Sequence, residues 1–243
     1  MSARRFFVEG TQEVGRIVEI DGSDARKIAR VLRLQPGDRI EIVDSAAATF
    51  SASIEELGRV VRARVVEPLA GHGGAETLSV EVAQAVPKGR RMDFVVEKCT
   101  ELGTRALLPF YCERSVGRDA GAQKLARWRR LARSAAAQCG RRDVPDVSEP
   151  LEKDELFERF ARYDAVLFAW ELAEPIALRD RLRASLPAAG RVLVVIGPEG
   201  GFTHAEAESA VAHGATLVSL GPRVLRTDTA AVALLAVIGA LAS

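Results

Sequence analysis

Hydrophobic and polar residues alternate along short stretches in the first part of the chain. In the stretch Val60–Val66, Arg62 and Arg64 fall on the face opposite Ala63 and Val65. This period of two is the pattern of a β-strand with one buried face. Nearby patterns predict strands over Arg39–Val43 and Phe50–Ile54, and a helix over Lys27–Leu34 with Ile28, Val31 and Leu32 on its apolar side. We therefore expect a small, mostly β domain at the start of the chain.

From Leu78 onward the pattern changes to apolar strands that alternate with amphipathic helices. Val192–Ile196 is an uninterrupted run of branched apolar residues, which is typical of a strand buried on both faces. Thr203 and Glu206 have the spacing of a capping box, which marks a helix start. The predicted strands are Leu78–Ala85, Ala106–Phe110, Asp164–Ala169, Val192–Ile196 and Thr216–Leu220, and the predicted helices are Met92–Leu102, Lys124–Gln138, Ile176–Leu186, one between Thr203 and Gly214, and one from about Thr227. This alternation predicts a parallel sheet that helices cover on both faces.

A glycine-rich stretch separates these two regions. Three of the six residues in Ala70–Ala75 are glycine, a composition typical of flexible linkers. We therefore predict two domains, residues 1–72 and residues 73–243. A length of 243 residues and a hydrophobic content of 48% are enough for a substantial core, and they exclude an intrinsically disordered chain.

The sequence argues against a membrane segment, a targeting signal and a metal site. The longest apolar run, Ala230–Ala242, has 13 residues, fewer than the roughly 20 that span a bilayer. No apolar segment follows the two arginines near the N-terminus, so we expect no signal peptide. Cys99, Cys112 and Cys139 form no close pair, which argues against a disulfide framework or a zinc site. We therefore expect a cytoplasmic protein that binds no metal, with Cys99 on the apolar face of its helix.

The formal net charge of +1 conceals two oppositely charged parts of the chain. Residues 1–142 carry 25 basic and 18 acidic side chains, whereas residues 143–243 carry 9 and 15. In the first part, Arg26, Arg30 and Arg33 share one face of the predicted helix, and Lys124–Arg142 contains seven basic residues before any acidic one. Arginine is well suited to phosphate contacts, so this distribution favours a nucleic-acid partner. The low aromatic content favours backbone contacts with folded RNA over base stacking on single strands.

Two glycine-bearing loops each follow a predicted strand and precede a predicted helix. We name Gly197–Phe202 the first glycine loop and Leu220–Arg226 the second glycine loop; each contains a Gly-Pro pair. In a parallel sheet, loops of this kind lie together at the carboxyl ends of the strands, where ligands bind. Neither loop has the lysine of a P-loop or the spacing of a dinucleotide fingerprint. The pattern therefore predicts a shared ligand pocket without naming its ligand.

A series of motifs occurs in a fixed order along the chain. They are Val31-Leu32-Arg33 followed by Gly37-Asp38, Pro87-Lys88-Gly89 followed by Met92-Asp93, Lys98 and Glu101-Leu102-Gly103, Glu113-Arg114-Ser115, Gln138-Cys139-Gly140-Arg141, Gly197-Pro198-Glu199-Gly200-Gly201, and Leu220–Thr227. In this order they resemble the RsmE-type 16S rRNA uridine-N3 methyltransferases, from about residue 4 to the end of the chain. Two positions depart from the pattern of that family, which usually has histidine where Lys27 stands and glutamate where Asp228 stands.

The resemblance implies both a fold and a function. The fold it implies is α/β, with a PUA-like, RNA-binding β-barrel over residues 1–72 and a SPOUT domain over residues 73–243 that has a parallel sheet and a deep trefoil knot. The implied activity is methylation of N3 of a specific uridine, position 1498 in the usual rRNA numbering, in the 16S rRNA of the small ribosomal subunit. The implied cofactor is S-adenosyl-L-methionine, and the implied assembly is a homodimer formed through the knot region.

The resemblance also implies particular site residues. The cofactor is expected to contact Phe168, Ala169, Ile196, Gly197, Glu199, Gly200, Gly201, Leu220, Gly221, Leu225, Arg226 and Thr227. The RNA is expected to contact Arg26, Lys27, Arg30, Arg33, Lys88, Arg91, Arg114 and Arg141. Uridine N3 must lose a proton in the reaction, so a cation has to stabilise the resulting anion. Arginine does not serve as a base, and we expect Arg226, rather than Arg223, to supply the cation. Asp228 is expected to orient Arg226 or to accept the proton.

Other functions compete with this one. Another SPOUT activity, such as ribose 2′-O methylation, shares the glycine loops, and only Val31-Leu32-Arg33 and Gln138–Arg141 favour the uridine-N3 enzymes. A non-catalytic RNA-binding module for ribosome assembly has no need of the pocket that the first glycine loop predicts. A general nucleotide-binding enzyme lacks a phosphate-gripping lysine in either loop.

Overall fold

The computed structural model describes residues 5–70, 78–116, 118, 120–174 and 176–242. All but the first residue of the predicted linker Ala70–Ala75 lies outside the described residues. The chain divides into two compact units. The first comprises Met1–Gly74 and Ala136–Asp143, and the second comprises Ala75–Ala135 and Val144–Ser243.

The first unit contains a five-stranded sheet. Its strands are β1 (Arg5–Phe7), β2 (Ile17–Ile20), β3 (Arg39–Val43), β4 (Thr49–Glu56) and β5 (Val61–Pro68), in the order β1-β3-β4-β5-β2. Strands β1 and β3 run parallel, and the other neighbours are antiparallel. The alternation predicted for β5 is confirmed, because Val61, Ala63 and Val65 are buried whereas Arg62 and Arg64 are exposed.

The predicted N-terminal helix differs from the observed one. A short helix, α1 (Gly22–Arg26), continues into a π-helical turn over Lys27–Val31, in which the N–H of Leu32 donates to the carbonyl of Lys27. Ile28 is buried as expected, but Val31 is 73% exposed, so its predicted place on the apolar side is wrong. The wider turn, with hydrogen bonds five residues apart, rotates Val31 away from the face that carries Ile28.

The second unit is built on seven parallel strands. They are β6 (Leu78–Ala85), β7 (Ala106–Tyr111), β8 (Asp146–Val147), β9 (Leu151–Glu152), β10 (Ala165–Ala169), β11 (Gly190–Ile196) and β12 (Thr216–Val218). The order is β12-β10-β11-β6-β7-β8, and the short strand β9 also pairs with β7. The predicted parallel sheet is confirmed, although the two-residue strands β8 and β9 were not predicted.

Helices cover both faces of this sheet, as the alternating pattern predicts. They are α2 (Arg91–Glu101), α3 (Ala122–Cys139), α4 (Lys153–Glu158), α5 (Leu178–Ser185), α6 (His204–Ala212) and α7 (Thr227–Ala242), with a short 3-10 turn over Phe160–Arg162. One core contains Val192 and Val194 of β11 with side chains of α2, α3, α5 and α7. The other contains Leu193 and Val195 with side chains of α4 and α6. Strand β11 is therefore buried on both faces. The first glycine loop follows it directly, at the carboxyl end of an interior strand of the sheet.

Two further expectations concern residues of the second unit. Cys99 is fully buried in the first of these cores, and burial raises the pKa of its thiol to about 12, so the side chain is a neutral core group. None of the helices among the described residues combines the length and the hydropathy needed to cross a membrane. The deep trefoil knot stays a prediction.

Candidate active site at the two glycine loops

Three loops of the second unit leave the same edge of the sheet. Strands β12, β10 and β11 are adjacent and parallel, so the segments after them emerge side by side. These segments are the second glycine loop, the stretch Trp170–Ala177 and the first glycine loop, respectively. Together they enclose a cavity of about 720 Å³. The predicted common pocket of the two glycine loops is therefore present.

The residues predicted to bind the cofactor line this cavity, with one exception. Phe168 is fully buried beneath the first glycine loop, where its ring centroid lies 4.1 Å from that of Phe202. The Phe202 ring in turn packs against Gly197, because a Cβ atom at that position would lie only 2.9 Å from the ring. Phe168 thus supports the cavity from below, and the glycine at 197 lets the loop lie directly on the aromatic core.

A sharp turn brings the first glycine loop back over the cavity. The N–H of Gly201 donates to the carbonyl of Pro198 at 3.0 Å, and Gly201 has φ of +67°. This left-handed conformation favours glycine. A Cβ on Gly201 would also lie 2.6 Å from a carboxylate oxygen of Glu171. The turn therefore depends on glycine both for its dihedral angle and for its close approach to Glu171.

Three basic residues predicted to bind RNA form hydrogen bonds with this loop. The Glu199 carboxylate accepts hydrogen bonds from the backbone N–H of Lys88 at 3.0 Å and from Nη1 of Arg91 at 2.6 Å. Nη1 of Arg114 donates to the carbonyl of Gly200 at 2.9 Å. Partial burial opposes ionisation of Glu199, but the backbone N–H groups and the Arg91 guanidinium outweigh it and hold the pKa of the carboxyl below its ordinary value. Glu199 is therefore an anion that anchors the loop.

A buried hydrogen-bond chain links the two glycine loops. The hydroxyl of Thr227 donates to the carbonyl of Gly197, and it accepts a hydrogen bond of 2.7 Å from Nε2 of Gln84. Nε2 of Gln84 also donates to the carbonyl of Ala85 at 3.0 Å. Gln84 was not among the predicted site residues. A polar glutamine near the apolar end of the predicted strand Leu78–Ala85 could have indicated it.

The segment after β10 forms a wall of the cavity, and none of its residues was among the predicted site residues. Trp170, Glu171 and Ile176 line the cavity on this side. The ring of Trp170 lies edge-on to that of His204, with centroids 5.1 Å apart, and its Nε1 is buried without a partner among the described residues. The position of these residues directly after a predicted strand could have identified them.

The predicted catalytic residues lie in two different environments. Arg223 and Arg226 are exposed on the cavity wall, and neither guanidinium group forms a hydrogen bond or an ion pair with the described residues. Asp228 is half-buried and is not part of the cavity lining. Its Oδ1 accepts the N–H of Thr229 in the first turn of α7, where a carboxylate also interacts favourably with the helix dipole. The structure thus brings two free guanidinium groups, but not the carboxylate of Asp228, to the cavity wall.

The remaining residues predicted to bind RNA belong to the first unit. Arg26, Arg30 and Arg33 are exposed at the π-helical turn, and Arg33 adopts a left-handed φ of +52°. The ammonium group of Lys27 lies 5.9 Å from the ring centroid of Phe6. Arg141 is largely buried and forms an ion pair of 2.7 Å with Asp143. The three exposed arginines therefore lie within a segment of eight residues that contains the π-helical turn. The described residues contain no group of three or more potential metal ligands.

Comparison with known proteins identifies the family. An RNA methyltransferase domain family matches residues 75–239, and an RNA methyltransferase PUA domain family matches residues 20–60. The ribosomal RNA small subunit methyltransferase E of Mycobacterium bovis is 33% identical over 252 residues, which cover 100% of this chain and 94% of the relative. The protein of the same name from Bacillus subtilis is 30% identical, covering 93% of this chain and 92% of the relative.

A solved structure supports the same assignment. The crystal structure of a ribosomal RNA small subunit methyltransferase E from Neisseria gonorrhoeae, bound to S-adenosyl methionine, matches with a TM-score of 0.86 and 28% identity. The match covers 98% of each chain. The resemblance predicted from the ordered motifs is thereby confirmed, as is the mixed α/β fold with an N-terminal sheet and a C-terminal parallel sheet. The chain belongs to the ribosomal RNA small subunit methyltransferase E family of RNA methyltransferases.

Proposed function

We propose that this protein transfers the methyl group of S-adenosylmethionine to N3 of uridine 1498 in the 16S rRNA of the small ribosomal subunit. The observation that carries the proposal is the single cavity enclosed by both glycine loops. Relatives named ribosomal RNA small subunit methyltransferase E match this chain over nearly its whole length. Among SPOUT methyltransferases, the motifs Val31-Leu32-Arg33 and Gln138–Arg141 favour uridine N3 over a ribose hydroxyl as the target.

The cavity suits S-adenosylmethionine in size and in chemistry. Its volume of about 720 Å³ lies within the range of roughly 300–1,000 Å³ that small-molecule sites occupy. Apolar side chains, including Ile196, Leu220 and Leu225, alternate with exposed backbone of the glycine loops, and the Glu171 carboxylate offers a partner for a polar or cationic group. When bound, the cofactor supplies an electrophilic methyl group on a sulfonium sulfur.

The residues of the chain would then align and stabilise the uracil. Loss of the N3 proton places negative charge on the base, and the free Arg226 guanidinium on the cavity wall stabilises that charge. Arg223 is the second candidate for this role. Asp228 lies two residues beyond Arg226, and its carboxylate would have to turn away from the N–H of Thr229 to orient that side chain or to accept the proton. N3 lies on the Watson–Crick edge, so the target uridine has to be unpaired or extruded when it enters the site.

The RNA would be held by both units. Arg26, Arg30 and Arg33 supply exposed guanidinium groups for phosphate contacts, with Lys27 beside them. Near the cavity, Lys88, Arg91 and Arg114 border the first glycine loop, and the segment of Arg141 adds a further contact. On this proposal, residues 1–72 act as the RNA-binding PUA-like domain and residues 73–243 as the knotted methyltransferase domain.

The assembly and location follow from the same family. We propose a cytoplasmic homodimer formed through the knot region. Two large apolar side chains, Phe94 of α2 and Leu102 directly after it, are 45% and 39% exposed, and a second copy of the chain would cover such groups. Measurement of the molar mass in solution, with a Phe94→Glu variant for comparison, tests this arrangement. A monomeric wild-type protein would contradict it.

The activity is tested with labelled S-adenosylmethionine and small ribosomal subunits that lack the modification. After incubation, nucleoside analysis of the 16S rRNA identifies the labelled atom, and we expect N3-methyluridine at one position. Label on a ribose oxygen would instead establish the 2′-O activity. Failure both to transfer the label and to bind the cofactor in calorimetry would establish a non-catalytic RNA-binding protein.

A further inference from the structure

Gln84 is a buried polar residue at the end of a core strand. Its side chain is inaccessible to solvent, and in the sheet register it pairs with Ile196, the residue directly before the first glycine loop. Its carboxamide reaches Thr227, 143 residues further along the chain. It therefore lies at the point where the two glycine loops approach each other.

The direction of each hydrogen bond at this point is fixed by chemistry. The hydroxyl of Thr227 has a single proton, which it donates to the carbonyl of Gly197. It must therefore accept from Gln84, and only the NH₂ end of the carboxamide can donate. That end also donates to the carbonyl of Ala85. Gln84 thus donates both to the backbone of β6 and to Thr227, and Thr227 donates in turn to the first glycine loop.

One atom of the Gln84 side chain makes an unfavourable contribution to the stability of the fold. Its Oε1 atom is buried and has no partner among the described residues, and a buried carbonyl oxygen without a donor destabilises the folded state. An apolar side chain of similar volume would fill the same space without that penalty. The distinctive contribution of Gln84 is therefore its pair of hydrogen bonds.

Those hydrogen bonds act on the residues that line the cavity. Thr227 directly follows Arg226, whose carbonyl accepts the N–H of Ala230 at 2.8 Å and so begins α7. Fixing Thr227 fixes the backbone of Arg226, and the bond to Gly197 fixes the first glycine loop relative to it. Gln84 itself is not part of the cavity lining.

We propose that Gln84 is a positioning residue for methyl transfer: through Thr227 it sets the position of Arg226 relative to the first glycine loop. This inference rests on the proposed function. Displacement of a reacting group by about 1 Å can lower a rate by roughly 100-fold. Loss of the link should therefore lower the turnover number even when cofactor and RNA are saturating.

The test replaces Gln84 by methionine, which has a similar volume and no hydrogen-bond donor. We expect Gln84→Met to lower kcat by about tenfold or more. Gln84→Glu is a second variant, because its carboxylate would accept the Thr227 proton and take it away from Gly197; it should show a similar fall. The double variant Gln84→Met with Thr227→Val should be no slower than Thr227→Val alone, since both changes break one chain of hydrogen bonds.

The matched control is Thr104→Val. Thr104 is also fully buried, and its hydroxyl shares its one proton between the backbone carbonyls of Val80, near the other end of β6, and Ala106 of β7. This variant should lower the melting temperature without changing kcat. The inference is overturned if Gln84→Met and Gln84→Glu likewise lower only the melting temperature. It is also overturned if the decrease in kcat in the double variant is the product of the decreases in Gln84→Met and Thr227→Val. An inactive wild-type protein that does not bind S-adenosylmethionine would instead overturn the proposed function itself.

Discussion

Two groups of arginines that we expect to contact RNA, one group in each unit, differ in what their guanidinium groups contact. In the first unit, Arg26, Arg30 and Arg33 are exposed in or beside a π-helical turn, and their guanidinium groups form no hydrogen bonds or ion pairs with the described residues. In the second unit, Arg91 and Arg114 point their guanidinium groups at the first glycine loop and hold its carboxylate and backbone oxygens. All five residues belong to one set of expected RNA contacts.

This difference shows that a basic cluster does not by itself define a role. A guanidinium without a protein partner offers all of its N–H donors to phosphate, whereas one that already holds a loop has fewer donors left and a fixed position. The first group should therefore affect RNA affinity alone, and the second group should affect the cofactor site. Three substitutions, in order of decreasing effect, test this separation.

The largest effect is expected where a free arginine lies on the cavity wall. Arg226→Ala should lower the turnover number by about 100-fold or more, because removal of a group that stabilises charge in a transition state commonly has that effect. The dissociation constant for S-adenosylmethionine should change by only about threefold. Single-turnover methylation, with cofactor binding measured separately by calorimetry, gives both values.

Arg223→Ala is the matched comparison for this variant. Arg223 lies on the same cavity wall and is likewise exposed, so its loss removes an equal charge from the same site. We expect a smaller decrease in turnover than for Arg226→Ala. Wild-type turnover in Arg226→Ala would remove Arg226 from the proposed mechanism, and a larger loss in Arg223→Ala would reassign the role.

An intermediate effect is expected for the loop-holding group. Arg114 donates to Gly200 but does not line the cavity, so Arg114→Ala leaves the cavity wall intact and loosens the loop. Loss of one charge-assisted hydrogen bond typically costs about 1.5 kcal/mol, and we expect this cost in the free energy of cofactor binding. The cofactor dissociation constant should therefore rise by roughly tenfold, which calorimetry without RNA can measure.

Arg118→Ala is the control for this change. Arg118 lies on the same segment after β7, but its guanidinium pairs with Glu152 and lies over the Tyr111 ring. Its removal should leave cofactor affinity unchanged. If Arg114→Ala behaves in the same way and only RNA binding weakens, the contrast between the two units disappears and Arg114 is simply another RNA contact.

The elements around the site could be predicted because their signals are local. The capping box at Thr203 and Glu206 forms as expected, with Glu206 accepting the N–H of Thr203 at 2.9 Å. The branched run Val192–Ile196 is buried on both faces and leads directly into the first glycine loop. Such elements are enough to predict the parallel sheet and to place both glycine loops at the same edge of it.

The contacts that hold the site depend on residues far apart in the chain. Arg91 and Glu199 are 108 residues apart, and Gln84 and Thr227 are 143 apart. Periodicity reports which face of an element is buried, but it does not report which strands are neighbours. Only the observed strand order, in which β11 lies beside β6, brings Arg91 to Glu199 and Gln84 to the edge where the two glycine loops meet. The exposure of Val31 was missed for a different reason, since a π-helical turn has no periodic signal of its own.

The smallest effect is expected at the free arginines of the first unit, and it should be confined to RNA binding. Arg30→Ala should weaken affinity for 16S rRNA by a few-fold and reduce the slope of log affinity against log salt by about 0.7–0.9, the value for one lost phosphate contact. Arg141→Ala should change the slope less, because Asp143 already offsets the charge of Arg141. Filter binding at several salt concentrations, with cofactor affinity as the unchanged reference, measures both. A slope unaltered by Arg30→Ala would mean that the exposed turn of the first unit makes no phosphate contact.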